Sequence, residues 1–114
     1  MLYLLLVYQD EAKMYSLPKE EAGQVHAAYM AYTEAMKKAG VLRANHGLQS
    51  TAKAATVRAP GGKQSVQNGP FAETKEQLGG YFLVDVADQE AALSWAARCP
   101  SAQYGAIEVR PVWG

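Results

Sequence analysis

An α+β fold, a sheet with two helices packed on it, is what this sequence predicts, and three observations carry the prediction. Leu2 to Tyr8 is apolar on both alternating sides, the pattern of a central strand. A long stretch with apolar residues at three- and four-residue spacing follows it, and a shorter one of the same kind lies near the C-terminus. Short strand-like runs bounded by turn residues fill the remainder, giving the order strand, helix, strands, strand, helix, strand. That order is the ferredoxin-like βαββαβ pattern with an added hairpin.

The first strand closes at Gln9-Asp10-Glu11, and a strand end makes Asp10 and Glu11 candidates for a site. A helix is predicted from about Pro18 to Ala39. Pro18 suits its first turn, Ser16 is a cap candidate, and Glu20 and Glu21 face the positive end of the dipole. Lys37 and Lys38 suit the opposite end, and Gly40 is the expected stop. Ala22, Val25, Tyr29, Tyr32, Met36 and Ala39 form the inward stripe, with His26 at its edge. Val41 to Leu48 reads as the second strand, ending at His46-Gly47, and Gln49 to Ala55 as a small polar loop. Thr56 to Arg58 and Gln64 to Gln67 flank Ala59-Pro60-Gly61-Gly62, a hairpin signal. Glu73 to Leu78 is expected to form one helical turn, closed by Gly79, before a strand from Tyr81 to Val86. Asp88 caps a helix that Pro100 ends, with Ala92, Trp95, Ala96 and Cys99 inward. The last strand runs from Ala106 to Val112, with Ile107 and Val109 inward and Glu108 and Arg110 outward. Pro111, which lacks a donor, puts it at an edge.

At 114 residues the chain reads as one domain over 1–114, with no repeat or linker. Scaling of surface with mass allows about two thirds of the unfolded surface to be buried, so no staple is required. Cys99 is the only cysteine; no intrachain disulfide can form, and its inward position reads as packing. Charge is uneven: residues 35–72 carry six basic side chains and no acid, a block that could attract an anion. A pI near 6.7, without interleaved basic and aromatic residues, argues against nucleic acid. LYLLLV is too short to span a membrane and lacks the basic flank of a signal peptide, so a cytoplasmic location is expected. There is no cysteine pair, HExxH, GxSxG or phosphate loop. His26 and His46 alone do not make a metal set, and neither metal nor cofactor is expected.

Asn68 to Val86, NGPFAETKEQLGGYFLVDV, sets turn residues and charges against a core strand, the usual makings of a site on a rigid scaffold. The run resembles the signature of the DGPF family, the YCII-related domain proteins, whose members typically read DGPFAETKEQLGGYFL. LYLLLVYQDEA, GVLRANHGLQ, ATVR and AALSWAARCPSAQYGAIEVRPVW extend the resemblance over nearly the whole chain. Asn68 stands where the family usually has aspartate. The resemblance implies the dimeric α/β-barrel superfamily, in which two sheets face each other, and hence a homodimer. Some YCII-related proteins carry a catalytic histidine on the first helix; alignment through GVLRANHG puts Tyr29, not His26, at that position.

Two functions are therefore weighed. The first is a small organic ligand bound between the first helix and the Asn68–Lys75 loop, with Tyr8, Tyr29 and Phe71 as apolar wall and His26, Asn68, Glu73 and Lys75 as polar groups. Glu73 or His26 would then carry acid–base chemistry such as isomerisation or elimination. The alternative, implied by relatives found beside or fused to sigma-factor-like proteins, is a non-enzymatic regulatory or interaction domain linked to sigma-factor-type transcription control.

Overall fold

The computed structural model describes residues 1–114. Its elements are β1 (Leu2–Gln9), α1 (Glu11–Tyr15), α2 (Lys19–Lys38), β2 (Leu42–Gly47), β3 (Ala55–Arg58), β4 (Ser65–Asn68), β5 (Gln77–Asp85), α3 (Gln89–Arg98) and β6 (Ala106–Pro111). Four strands form one sheet in the order β2-β5-β1-β6, with every neighbour antiparallel. This is the ferredoxin-like arrangement. β3 and β4 pair only with each other, as the added hairpin. No helix is long and apolar enough to cross a membrane.

Period-two alternation divides the sheet into two faces. Tyr3, Leu5 and Val7 of β1 and Phe82 and Val84 of β5 are buried toward the helices. There they meet Tyr32 and Met36 of α2 and Ala92 and Ala96 of α3. Tyr32 packs edge-on against Phe82 at 5.2 Å, and its hydroxyl donates to the Trp95 carbonyl at 2.7 Å. Burial pushes the Tyr32 phenol above its ordinary pKa, so it stays a donor. Leu2, Leu4, Leu6 and Tyr8 alternate onto the other face, joined by Tyr81 and Leu83, and no helix covers them. The molecule measures 46 × 42 × 18 Å.

Four local expectations are corrected. Glu73 to Leu78 is not a helical turn: β5 begins at Gln77, because Gln77 and Leu78 pair with Gln9 and Tyr8 of β1. Gly79 is the extra residue of a β-bulge, since Val7 faces Gly80 while Tyr8 faces Leu78. Asp10 starts the short helix α1, accepting from the Lys13 N–H at 3.2 Å. Ser16 ends that helix, and α2 begins at Lys19, with Pro18 in the cap position and no side-chain cap. Ala22 and Ala39 are exposed; of the α2 stripe only Tyr32 and Met36 are fully buried, because Ala22, Val25 and Tyr29 border a cleft and Ala39 lies beyond the last helical residue, Lys38.

Candidate functional site

That cleft, about 690 Å³, opens between α2 and the β2–β5 side of the sheet. Its size is ordinary for a small-molecule site. Val25, His26, Tyr29 and Thr33 line it from the helix, where three- and four-residue spacing puts them on one side. Gln9 and Asn45 line it from the sheet, and Gly47, Gly79 and Gly80 form a stretch without side chains. The strand pair requires this at Gly80: a β-carbon there would lie 3.0 Å from the His46 carbonyl oxygen and 3.4 Å from the Gly47 Cα.

A row of hydrogen bonds crosses the inner end of the cleft. The Tyr29 hydroxyl contacts the Ser101 hydroxyl closely and lies 3.5 Å from the Cys99 sulfur. Ser101 is wholly buried and donates to Gln9 Oε1 at 2.8 Å. Burial raises the Tyr29 pKa well above the usual phenol range, against the opposing effect of its Ser101 hydrogen bond. Burial likewise raises the Cys99 thiol. Both groups therefore stay protonated at neutral pH, so neither serves as a base there. The Tyr29 ring stacks parallel to Phe82 at 6.3 Å, which fixes the phenol over the sheet.

The YCII-related domain profile matches residues 1–114. The chain belongs to the YCII-related domain family. An uncharacterised protein of Rhizobium meliloti (strain 1021) is 42% identical over 118 residues, covering 98% of this chain and 92% of the relative. Among solved structures, the 5-chloro-2-hydroxyhydroquinone dehydrochlorinase TftG of Burkholderia phenoliruptrix AC1100, in complex with 2,5-dihydroxybenzoquinone, superposes with a TM-score of 0.59. The match is 15% identical and covers 100% of this chain and 94% of that one. It bears out the expected fold class, an α+β ferredoxin-like fold.

The expected site residues of this YCII-related protein fall into separate groups. His26 and Tyr29 share the α2 cleft. Tyr8 and Phe71 line a second cavity of about 770 Å³ with Leu48, Pro70 and Leu78. In place of one cleft between the first helix and the loop there are two cavities in a single chain, because strand alternation sends Val7 and Tyr8 to opposite faces. Asn68, Glu73 and Lys75 are exposed and line neither cavity. Gly69 holds the loop at φ +111°, its N–H donating to Ala54 and its carbonyl accepting from Thr56. The Arg58 guanidinium lies 5.5 Å from the Phe71 ring centre.

Asp10 and Glu11 have structural partners. Asp10 caps α1, and Glu11 accepts from the Thr51 N–H at 3.2 Å and from the Ser50 and Thr51 hydroxyls. The structure adds Gln9, Asn45 and Ser101 to the site. Gln9 was legible as the polar continuation of the inward series Tyr3, Leu5, Val7; Ser101, after the helix-ending Pro100, gave no signal. His46 borders the cleft, with its ring bonded through Nδ1 to the Tyr81 hydroxyl at 2.8 Å.

Proposed function

We propose that this YCII-related protein is a homodimeric enzyme performing acid–base chemistry on a small organic molecule held in the α2 cleft. The observation that carries the reading is His26 and Tyr29 one helical turn apart on the wall of one cleft, facing the polar side chains of Gln9 and Asn45. Histidine changes charge nearest neutral pH, and a proton carrier opposite fixed hydrogen-bond groups is what isomerisation or elimination requires. His26 moves the proton; Tyr29 and Gln9 orient the substrate. The related fold of the dehydrochlorinase, complexed with a small quinone, is a scaffold of the kind that accommodates such a ligand.

Two quantities support the second copy. A compact monomer of this mass would expose roughly 6,100 Å², whereas this chain exposes 7894 Å². Its radius of gyration is 15.9 Å, against about 13 Å for a compact domain of this length. The surplus is that of a molecule lacking a partner over its open sheet face, where Leu4, Leu6 and Leu83 stand uncovered by any helix. Tyr8, Asn68, Phe71 and Lys75 would bind ligand, and Glu73 act, at a site on that side only once the second copy encloses it.

The test is an NMR titration with small phenols and quinones, 2,5-dihydroxybenzoquinone among them, alongside sedimentation. Binders should shift the amides of His26, Tyr29, Gly79 and Gly80, and His26→Gln should abolish any turnover while leaving binding. Binders that move only residues elsewhere would overturn the cleft. A sedimenting mass near 12.3 kDa would overturn the dimer. Glu73→Gln separately decides whether the loop takes part.

The interaction-domain reading draws on one observation of its own. Val57 and Val66 pair directly across the hairpin and are 58% and 56% exposed. Loss of a sigma-factor-type partner in Val57→Ser/Val66→Ser, with ligand binding in the cleft absent from the wild type, would favour it.

A further inference from the structure

We infer that Gln9 is the substrate-orienting donor of the cleft, its side-chain NH2 presented beside Gly79 to hold an anionic or carbonyl oxygen of the bound molecule. The inference rests on the cleft reading above and adds a ligand class to it: small molecules with an acceptor oxygen, such as a phenolate, enolate, carboxylate or ketone.

Its first support is the polarity of the hydrogen-bond row. Ser101 has a single hydroxyl proton and gives it to Gln9 Oε1. In the close Tyr29–Ser101 contact the phenol must then be the donor, and the phenolic oxygen is left facing the Cys99 thiol at 3.5 Å. A reversed row would have Gln9 donate to Ser101 and Ser101 to Tyr29. The phenolic proton would then have only the sulfur, a weak acceptor. The favoured direction therefore runs from thiol through phenol and serine to Gln9 Oε1, and it sets the amide with its nitrogen outward.

The second support is the bulge. No group of the chain accepts from Gln9 Nε2, and the amide borders the cleft. A β-carbon at Gly79 would lie 3.2 Å from that nitrogen, so the bulge glycine is what keeps the donor clear. A fixed pair of N–H groups beside a stretch without side chains donates to an oxygen and leaves a donor group on the ligand unpaired, which is a basis for discrimination. Glu34, Lys37 and His26 also line the cleft, but their charge acts equally on every Gln9 variant.

The experiment uses 4-nitrophenol, whose phenolate absorbs in the visible, with the intact protein. Wild type should bind the phenolate more tightly than the phenol, lowering the probe's apparent pKa. Gln9→Met should weaken phenolate binding about tenfold or more while changing phenol binding less than about twofold. Gln9→Glu keeps the shape and the bond from Ser101, and should reverse the preference. Melting curves verify that each variant is folded. If Gln9→Met keeps the phenolate preference, the donor assignment is overturned while the cleft stands. If wild type binds neither form and the Gly79 and Gly80 amides do not shift, the cleft reading falls and the inference with it.

Discussion

Replacing Tyr29 by Phe removes one hydroxyl from the row that crosses the cleft, and the cost follows from what remains. Ser101 is wholly buried, yet in the variant it still donates to Gln9 Oε1 at 2.8 Å, so the only buried donor left without a partner is the Cys99 thiol, a weak donor whose desolvation costs little. The loss is one hydrogen bond with little desolvation penalty, about 1 kcal/mol. At this chain length that is a drop of about 4 °C in Tm. Ser101→Ala takes a partner from both Tyr29 and Gln9, each only half-buried at the cleft, and should cost about 1–2 kcal/mol. Because the two substitutions remove a shared bond, the double variant should fall short of the sum by about 0.5 kcal/mol or more. Urea unfolding of the four proteins, with unchanged slopes, measures this. Strict additivity would mean that Tyr29 and Ser101 are not coupled; a loss above about 3 kcal/mol in Tyr29→Phe would mean that Gln9 does not satisfy Ser101.

Three further outcomes are expected. A β-carbon at Gly105 would lie 2.2 Å from the Tyr8 carbonyl oxygen, so Gly105→Ala should cost about 3 kcal/mol or prevent folding, as circular dichroism would show. The N-terminal ammonium, hydrogen-bonded to Asp85 at 3.0 Å, holds its carboxyl below the usual carboxylate range, with Arg43 assisting. A depressed folded pKa contributes stability above the unfolded value near ~3.9 and loses it as pH falls through the folded one. Asp85→Asn should therefore be slightly the less stable at neutral pH, with the gap closing in acid; the effect is small because the pair is exposed. Cys99, 2% exposed and with its thiol pKa raised by burial, should react with a thiol reagent only as fast as the native state opens, and prompt labelling at neutral pH would contradict this.

What the sequence revealed, and what it hid, divides by the range of the interactions. The two-residue period of β1, the Asp88 cap and the edge position of Pro111 are local signals; Asp88 accepts from the Ala91 N–H, and β6 lies at the sheet edge. Glu73 to Leu78 carries helix-compatible residues, but Gln77 and Leu78 are claimed by β1, more than sixty residues earlier in the chain, a pairing that no local window contains. The motif drew attention to Asn68–Lys75, whereas a single chain places Tyr8 and Phe71 apart from His26 and Tyr29. That separation depends on which side of a strand each residue takes. Gln9 lay in plain view as the polar end of an apolar series, but its meaning came only from Ser101, ninety-two positions away.

The cleft assignment is tested most directly by a crystal structure of the protein soaked with 2,5-dihydroxybenzoquinone. The predicted result is the ring lying between α2 and Gly79-Gly80, near His26 and Tyr29, with one oxygen within hydrogen-bond distance of Gln9 Nε2. Ligand bound only in the Tyr8–Phe71 cavity, with the α2 cleft holding solvent alone, would contradict it.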